Sequence, residues 1–256
     1  LSNYFSALVS YENGDNDLAL KYFDSTKNIL RDYPNYFDRY VNSLVLNSKV
    51  SEAINQIKFF KSKNNIKNYQ TTLLFTIDAF KNNNFNKAND YLMDMKRIMK
   101  ISTYEEIIYE ILKSYNQLFL KRKISEVENY GKLSQIVLAF QYCYLDDDRS
   151  DSNFANLINL DSGDYSRYLF FYLSNLIYKN DYSTAKLASL KIEPITSSLL
   201  ILQSKSWIDK SKFDNFTKIF SCKSENDILA EMFYLISNLY SSQEDYNMSN
   251  YYLNIS

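Results

Sequence analysis

A small side chain recurs along this chain at intervals of about 34 residues, each time shortly after a polar turn. The recurrence is clearest in residues 80–95, where a polar turn is followed by Ala88. Tyr91, Leu92 and Met95 then lie at the i+3, i+4 and i+7 positions of one helix face. Because a small residue lets two helix backbones approach closely, this stretch predicts a helix end, a tight turn and a second helix that packs back on the first.

Equivalent positions occur from one end of the chain to the other. They are Ala19, Ala53, Ala88, Val127, Ala155, Ala185, Phe216 and Ser249. Successive members are 28 to 39 residues apart, and each follows a polar turn. Self-similarity at such a period is typical of repeat proteins built from helix–turn–helix units. Only three glycines and two prolines occur, which argues against a β protein with many hairpin turns.

Three segments carry the turn and the second helix most clearly. They are 14–23 (GDNDLALKYF), 83–92 (NNFNKANDYL) and 180–185 (NDYSTA), and Pro34 closes the first repeat. These segments resemble tetratricopeptide repeats (TPRs), and the chain is similar to alphaproteobacterial proteins in which TPRs run along the whole length. The chain departs from the family pattern where Asn, Lys or Ser replaces the turn glycine, and where Val127 or Phe216 replaces the alanine.

The resemblance implies an all-α fold, a right-handed α–α superhelix (solenoid) of about eight helix–turn–helix repeats. We expect a single TPR-like solenoid over residues 1–256, irregular after about residue 125, in a fragment that ends in mid-repeat. The expected first helices are Ser2–Asn13, Asn35–Asn47, Asn68–Lys81, Thr103–Arg122, Gln135–Leu145, Gly163–Tyr178, Ile195–Asp209 and Glu225–Ser241. The expected second helices are Asn16–Arg31, Val50–Asn64, Phe85–Met99, Ile124–Ser134, Ser152–Leu160, Tyr182–Lys191, Lys212–Ser221 and Glu244 onward. In the fourth repeat, Ser125 and Glu128 fit a capping box.

The composition lacks several residue types that catalytic sites and cofactor sites commonly use. Histidine is absent, which removes the commonest general base and the favoured zinc ligand. Three glycines cannot form a glycine-rich phosphate loop. The acidic run 146–151 begins like a calcium loop, but Asp151 replaces the bend glycine and Leu157 replaces the final glutamate. We therefore expect no enzyme activity, no metal and no cofactor, and interpret the run as a solvated turn in which Asp151 or Ser152 caps the next helix.

The two cysteines, Cys143 and Cys222, lie far apart in the sequence and lack metal-site spacing. Because residues more than two repeats apart seldom touch in a solenoid, we expect both to be buried free thiols.

The net charge and the length of the apolar runs bear on possible partners and on the cellular compartment. A formal net charge of −1 gives no reason to expect nucleic acid as a partner. The longest apolar run, residues 168–178, is too short for a membrane span. Localisation stays open between cytoplasm and periplasm, since a fragment can lack its targeting region.

The concave face, which first helices line in the family, is the expected binding surface. The residues placed there by alignment on the recurring small positions are Tyr4, Leu8, Tyr11, Asp38, Arg39, Asn42, Lys81, Lys113, Asn116, Arg167, Phe170, Tyr178, Tyr234 and Asn238. Asn42, Asn116 and Asn238 occupy equivalent positions, where an asparagine of peptide-binding relatives can hydrogen-bond the peptide backbone. The asparagine-rich composition explains that coincidence equally well.

These observations indicate a non-catalytic protein–protein interaction scaffold that binds a peptide or a partner helix in its concave groove. Basic residues beside two of the asparagines suit an acidic segment or a C-terminal carboxylate. One alternative is a self-associating structural repeat, because a mid-repeat end leaves Tyr246, Tyr251, Tyr252 and Leu253 without cover. Another is the recruiting arm of an enzyme whose catalytic domain lies outside this sequence.

Overall fold

The computed structural model describes residues 2–27, 34–61, 68–101, 103–158, 166–193 and 197–256. Fifteen α-helices and no strand occur in these ranges, which confirms the predicted all-α class. The helices are α1 (Ser2–Glu12), α2 (Asn16–Ser25), α3 (Pro34–Leu46), α4 (Val50–Lys61), α5 (Tyr69–Lys81), α6 (Phe85–Ile98), α7 (Tyr104–Lys121), α8 (Lys132–Tyr144), α9 (Arg149–Ile158), α10 (Ser166–Tyr178), α11 (Tyr182–Ser189), α12 (Leu199–Asp209), α13 (Asp214–Ile219), α14 (Glu225–Ser241) and α15 (Tyr246–Ile255).

Most of these helices lie where the repeat pattern predicts them, often within one or two residues. The predicted helix ends at Arg31, Asn64 and Leu160, and the predicted starts at Gly163 and Ile195, lie outside the described residues. Over the described ranges, no helix combines the length and the apolarity that a membrane crossing requires.

The chain forms two compact units. Unit 1 comprises Leu1–Tyr109 and Leu229–Ser256, and unit 2 comprises Glu110–Ile228. The boundaries between the units fall inside α7 and inside α14.

Seven turns in the described ranges share one backbone motif. In each, a residue with positive φ donates its N–H to the carbonyl three residues back, and the next residue donates to the carbonyl five residues back. This pair of bonds is the Schellman motif, which ends a helix by satisfying its last carbonyls. The positive-φ residues are Gly14, Ser48, Asn83, Asp146, Asn180, Ser211 and Glu244. The hairpins of the repeat pattern are therefore joined by the same turn, although only one of these residues is glycine.

The residue after the positive-φ position often begins the next helix as its N-cap. The side chains of Asp15, Asn84, Asp181 and Asp245 each accept a hydrogen bond from the backbone N–H three residues on. A capping oxygen satisfies one of the N–H groups that a helix leaves unpaired at its start. The turn therefore ends one helix and begins the next over two adjacent residues.

The recurring small residues lie where the two helices of a hairpin meet. Ala19, Ala53, Ala88 and Ala185 are fully buried, and each bonds through its N–H to the carbonyl at the start of its helix. Phe216 takes the same position in α13 and is also fully buried. These five positions are therefore buried in the core, and one of them holds an aromatic ring instead of a small side chain.

The fourth repeat differs from the prediction. The expected helix Ile124–Ser134 is absent, and residues 123–130 carry no helix. Val127 is only half-buried there, and Ser125 and Glu128 form no capping box. Gly131, expected inside that helix, has a φ of 66° and is the residue before α8.

Side chains satisfy the backbone of this non-helical segment. Buried Gln141 of α8 accepts the N–H of Ser125 at 2.8 Å and donates to its carbonyl at 3.0 Å. The Ser134 hydroxyl donates to the carbonyl of Glu128 at 2.7 Å and accepts the N–H of Tyr130 at 2.8 Å. Because buried or half-buried backbone groups need partners, these contacts replace the bonds of the expected helix.

The fifth repeat is shifted in register. Ala155 is only half-buried, whereas Ser150 and Phe154 are fully buried. The helix α9 begins at Arg149, and Asp147 accepts the N–H of Arg149 at 3.0 Å. The predicted cap at Asp151 or Ser152 is therefore wrong, because α9 starts earlier than the pattern indicates.

In unit 1, the last helix contacts an early one. The helix α15 packs on α3, Ser48 donates to the side-chain oxygen of Asn254 at 2.6 Å, and Asn254 donates to the carbonyl of Leu46 at 3.4 Å. Tyr251 and Tyr252, expected to lack cover, are buried, while Tyr246 and Leu253 are exposed. The expectation that residues more than two repeats apart seldom touch is therefore wrong for this contact.

In unit 2, Cys143 and Cys222 form a disulfide, with Cα atoms 5.9 Å apart. The prediction of two free thiols is wrong, because the segment before α14 lies against α8. Two residues before Cys222, the Phe220 ring packs on the rings of Phe140 and Phe171. Residues 79 positions apart are thus neighbours.

Candidate functional site

The first helices of unit 1 lie side by side. Arg39 of α3 donates to Glu12 of α1 at 3.0 Å, and the Asn68 amide at the start of α5 donates to Asp38 of α3 at 2.6 Å. Tyr69 of α5 donates to the carbonyl of Glu105 of α7 at 3.1 Å. The series α1, α3, α5 and α7 is therefore linked by direct polar contacts, as expected for helices that line one face.

We call Tyr4, Tyr11, Asp38, Arg39 and Asn42 the first-helix face. These five side chains are half-buried on α1 and α3, and all were predicted from the sequence. The amide of Asn42 donates to the hydroxyl of Tyr11 at 3.4 Å, a long and therefore weak hydrogen bond. The structure thus brings the predicted asparagine and a predicted aromatic residue together.

The charged members of the first-helix face differ in environment. Arg39 is half-buried and Glu12 is exposed, so solvent screens their ion pair and it contributes little to stability, about 0–1 kcal/mol. Burial raises the pKa of the Asp38 carboxyl, and the hydrogen bond from Asn68 opposes that shift. Arg39 can therefore exchange partners at low cost, whereas Asp38 is fixed by its contact with Asn68.

The aromatic end of the face rests on the core. The Tyr4 ring lies 4.6 Å from the Tyr36 ring, and the hydroxyls of Tyr36 and Thr26 are 2.5 Å apart. Leu8, also predicted at the site, is half-buried between Tyr4 and Tyr11 on the same side of α1. Packing against buried Tyr36 limits the motion of Tyr4, so the ring presents a fixed apolar edge.

The other predicted residues of unit 1 lie elsewhere. Lys81 is exposed and lines a cavity of about 430 Å³ between α4, α5 and α15. Tyr234 is half-buried and Asn238 is exposed, both on α14. Their membership of one binding surface with α1 and α3 stays a prediction.

The predicted residues of unit 2 do not form one exposed set. Lys113 pairs with Glu110 at 3.0 Å, Arg167 lies over the Phe171 ring, and Tyr178 is exposed. Phe170, expected at the surface, is fully buried and stacks on the ring of Phe216. The repeat pattern could not distinguish the buried residues of α10 from the exposed ones, because α10 carries apolar residues on nearly every side.

Asn116 is also buried rather than exposed. It is 1 % exposed, and neither its amide nitrogen nor its carbonyl oxygen has a hydrogen-bond partner among the described residues. The three equivalent asparagines thus have three environments, since Asn42 is half-buried and bonded while Asn238 is exposed. Of the three, Asn42 combines access to solvent with a defined orientation.

The acidic run 146–151 forms ion pairs and hydrogen bonds with neighbouring and distant side chains. Asp147 forms an ion pair with Arg149 at 2.6 Å, which lowers the pKa of its carboxyl to about 2. Asp151 accepts from Lys179 at 3.0 Å and from Asn175 at 2.7 Å. In the part of the chain that the structure describes, no cluster of three or more potential ligands could hold a metal ion.

Several residues that shape these sites were not predicted. Asn68 caps α5, and its partner Thr71 completes a capping box, which the sequence pattern could have shown. Tyr36, Gln141 and Lys223 contact residues of other helices or segments, and no local pattern indicates such contacts.

No family model, curated protein sequence or solved structure matches the chain.

Proposed function

We propose that this protein is a non-catalytic, TPR-like interaction scaffold that binds a peptide or a partner helix across the first-helix face. In this proposal its hairpins follow the right-handed superhelical arrangement of TPR proteins, with the first helices lining the binding side. The observation that carries the proposal is the direct linkage of α1, α3 and α5 through Glu12–Arg39 and Asp38–Asn68. Helices held side by side offer a long, rigid surface to an extended partner.

The chemistry of the face fits a partner with exposed backbone and acidic groups. The Asn42 amide can offer both a donor and an acceptor to a peptide backbone, with its weak bond to Tyr11 as the contact to be replaced. Arg39 can exchange Glu12 for a carboxylate of the partner. Tyr4 and Tyr11 add apolar contact area at low cost in side-chain entropy.

Site-specific photo-crosslinking tests the proposal in cells that produce the full chain. A p-benzoylphenylalanine at Tyr11 should capture a partner protein, whereas the same group at Met93 should not. Met93 is a suitable control because it is exposed on the second helix α6. Equal capture of the same protein from both positions would contradict the proposal.

The captured partner then allows a quantitative test. We expect Asn42→Ala and Arg39→Ala each to weaken binding about tenfold, the loss of one polar contact of about 1.4 kcal/mol. Arg97→Ala is the matched control, because Arg97 lies on α6 and pairs only with nearby Asp94 in the described structure. Unchanged affinity in both face variants, with melting temperatures like that of the original chain, would exclude this surface.

Self-association is a second candidate, favoured by exposed apolar side chains on α1. Phe5 is 61 % exposed and Val9 is 59 % exposed, and they lie one helical turn apart. Light scattering separates the two functions, because a concentration-dependent oligomer that Phe5→Ser disrupts would support assembly. A monomer at all concentrations would favour partner binding.

A role as the recruiting arm of an enzyme would require a catalytic domain elsewhere in the protein.

A further inference from the structure

Residues 220–225, which we call the docking segment, lie against the C-terminal end of α8 in unit 2. The Phe220 ring lies 5.6 Å from the Phe140 ring and 4.5 Å from the Phe171 ring. The Ser174 hydroxyl donates to the carbonyl of Phe220 at 3.5 Å. An aromatic side chain buried between α8 and α10 thus fixes one end of the segment.

A lysine of the docking segment caps α8. The Lys223 ammonium donates to the carbonyls of Cys143 and Tyr144, the last two residues of that helix. It also pairs with Asp146 at 2.5 Å and lies 5.0 Å from the centre of the Tyr178 ring. The last carbonyls of a helix lack partners and carry partial negative charge, so a cation is favourable there.

A third contact holds the other end of the segment. The Tyr144 hydroxyl donates to the Glu225 carboxylate at 2.5 Å, and burial and this contact raise the pKa of Tyr144. Phe220, Lys223 and Glu225 therefore dock on α8 and α10 by packing, charge and hydrogen bonding. All three contacts are made by groups other than the two cysteine side chains.

The cysteines lie in the middle of this contact. Cys143 is 1 % exposed, Cys222 is 8 % exposed, and their Cα atoms are 5.9 Å apart, a spacing that disulfides commonly have. Asn175 places its side-chain oxygen 3.1 Å from the sulfur of Cys143, which gives a reduced thiol at that position a hydrogen-bond acceptor.

We propose that Cys143 and Cys222 are a maturation site: Cys222 reacts with a disulfide donor of an oxidising compartment, and docking of residues 220–225 then buries its sulfur beside that of Cys143. The Cys222 thiolate attacks the donor disulfide, forms a mixed disulfide and releases one donor thiol. The Cys143 thiolate then attacks the sulfur of Cys222 and releases the second donor thiol. Two protons and two electrons leave the protein, and the donor disulfide is reduced to two thiols.

For the test, the full chain is purified under reducing conditions and is then mixed with oxidised glutathione. We expect one intramolecular bond between Cys143 and Cys222 by non-reducing peptide mapping, formed at a rate independent of protein concentration. Lys223→Met keeps the aliphatic stem but removes the charge, and should slow the closing step about tenfold by lowering the effective concentration of the thiols. Lys205→Met is the matched control, because Lys205 also donates to a backbone carbonyl in unit 2.

Three results would overturn the proposal. The first is a stable glutathione adduct from which the bond between Cys143 and Cys222 never forms. The second is an equal rate of disulfide formation in Lys223→Met and in the original chain. The third is two free thiols in protein that has been directed to an oxidising compartment. Tyr144→Phe removes a single hydroxyl and serves as a second variant if circular dichroism shows that Lys223→Met does not fold. It should slow closure several-fold, since it breaks only the contact with Glu225.

Discussion

Single residues of two kinds define most hairpins: a buried small residue near the start of the second helix and a left-handed residue at the turn. The alanines at positions 19, 53, 88 and 185 have no exposed surface, so no larger side chain fits without displacing a neighbouring helix. The left-handed position is filled by glycine only at Gly14. The other turns adopt a conformation that side chains disfavour, and the flanking hydrogen bonds hold them in it.

The small residue at position 88 gives the first prediction. Ala88→Leu should lower the free energy of unfolding by about 1–3 kcal/mol, because added methyl groups overpack the helix crossing. Asn89→Leu, on the exposed side of the same helix, is the control and should change stability by no more than about 0.5 kcal/mol. Thermal denaturation measures both, and an unchanged melting temperature for Ala88→Leu would place Ala88 away from the crossing.

The left-handed position gives a pair of opposite effects. Ser211→Gly should stabilise the chain and Gly14→Ala should destabilise it, each by about 1 kcal/mol, because only glycine adopts positive φ freely. A methyl group at Gly14 would meet no other atom within 4 Å, so the effect there is that of the backbone alone. Urea denaturation gives both values. Shifts of the same sign would show that backbone conformation does not decide the stability of these turns.

The cap at Asp181 gives a pH-dependent effect. Hydrogen bonds from Thr184 and Ser183 lower the pKa of its carboxyl, so its stabilisation is present above the pKa of the unfolded chain and is lost as pH falls through the folded pKa. Asp181→Asn keeps a capping oxygen without the charge. We expect the variant to melt lower than the original chain at pH 7, and we expect the difference to shrink as the pH falls from about 4 through the folded pKa of Asp181. A difference that does not change with pH would contradict this assignment.

At the scale of elements, the turn and the cap explain why the sequence predicts most helices. In the hairpins α1–α2 and α5–α6, the polar run, the cap and the small residue act together, so local pattern and final structure agree. The segment 123–130 could not be predicted, because its residues fit a helix start but Gln141 binds the backbone of Ser125 instead. A tertiary contact overrides a local preference there.

Gln141 therefore provides a test of this element. Gln141→Ala leaves the N–H and the carbonyl of Ser125 without their partners and should destabilise unit 2 by about 2 kcal/mol. Gln135→Ala changes an exposed glutamine on the same helix and should have little effect. Hydrogen exchange read by mass spectrometry should show faster exchange in residues 123–130 for Gln141→Ala alone. Equal exchange in the two variants would mean that the Gln141 side chain does not hold this segment.

At the scale of the whole molecule, the contacts that the sequence did not predict join distant parts of the chain. The pairs Cys143–Cys222 and Ser48–Asn254 are separated by 79 and 206 positions, beyond the reach of any periodic pattern. Alignment of the repeats predicts that Tyr11, Arg39 and Asn42 lie on the first helices, and the structure places them half-buried on α1 and α3. The burial of Asn116 and Phe170 depends on tertiary packing, which the repeat pattern does not contain.

The central claim is that a partner lies across α1 and α3. Hydrogen exchange of the full chain, alone and saturated with the protein captured from position 11, tests this claim most directly. We expect exchange in residues 2–12 and 34–46 to slow on binding, with little change in the second helices α2 and α6. Protection confined to α2 and α6, with α1 and α3 unchanged, would contradict it.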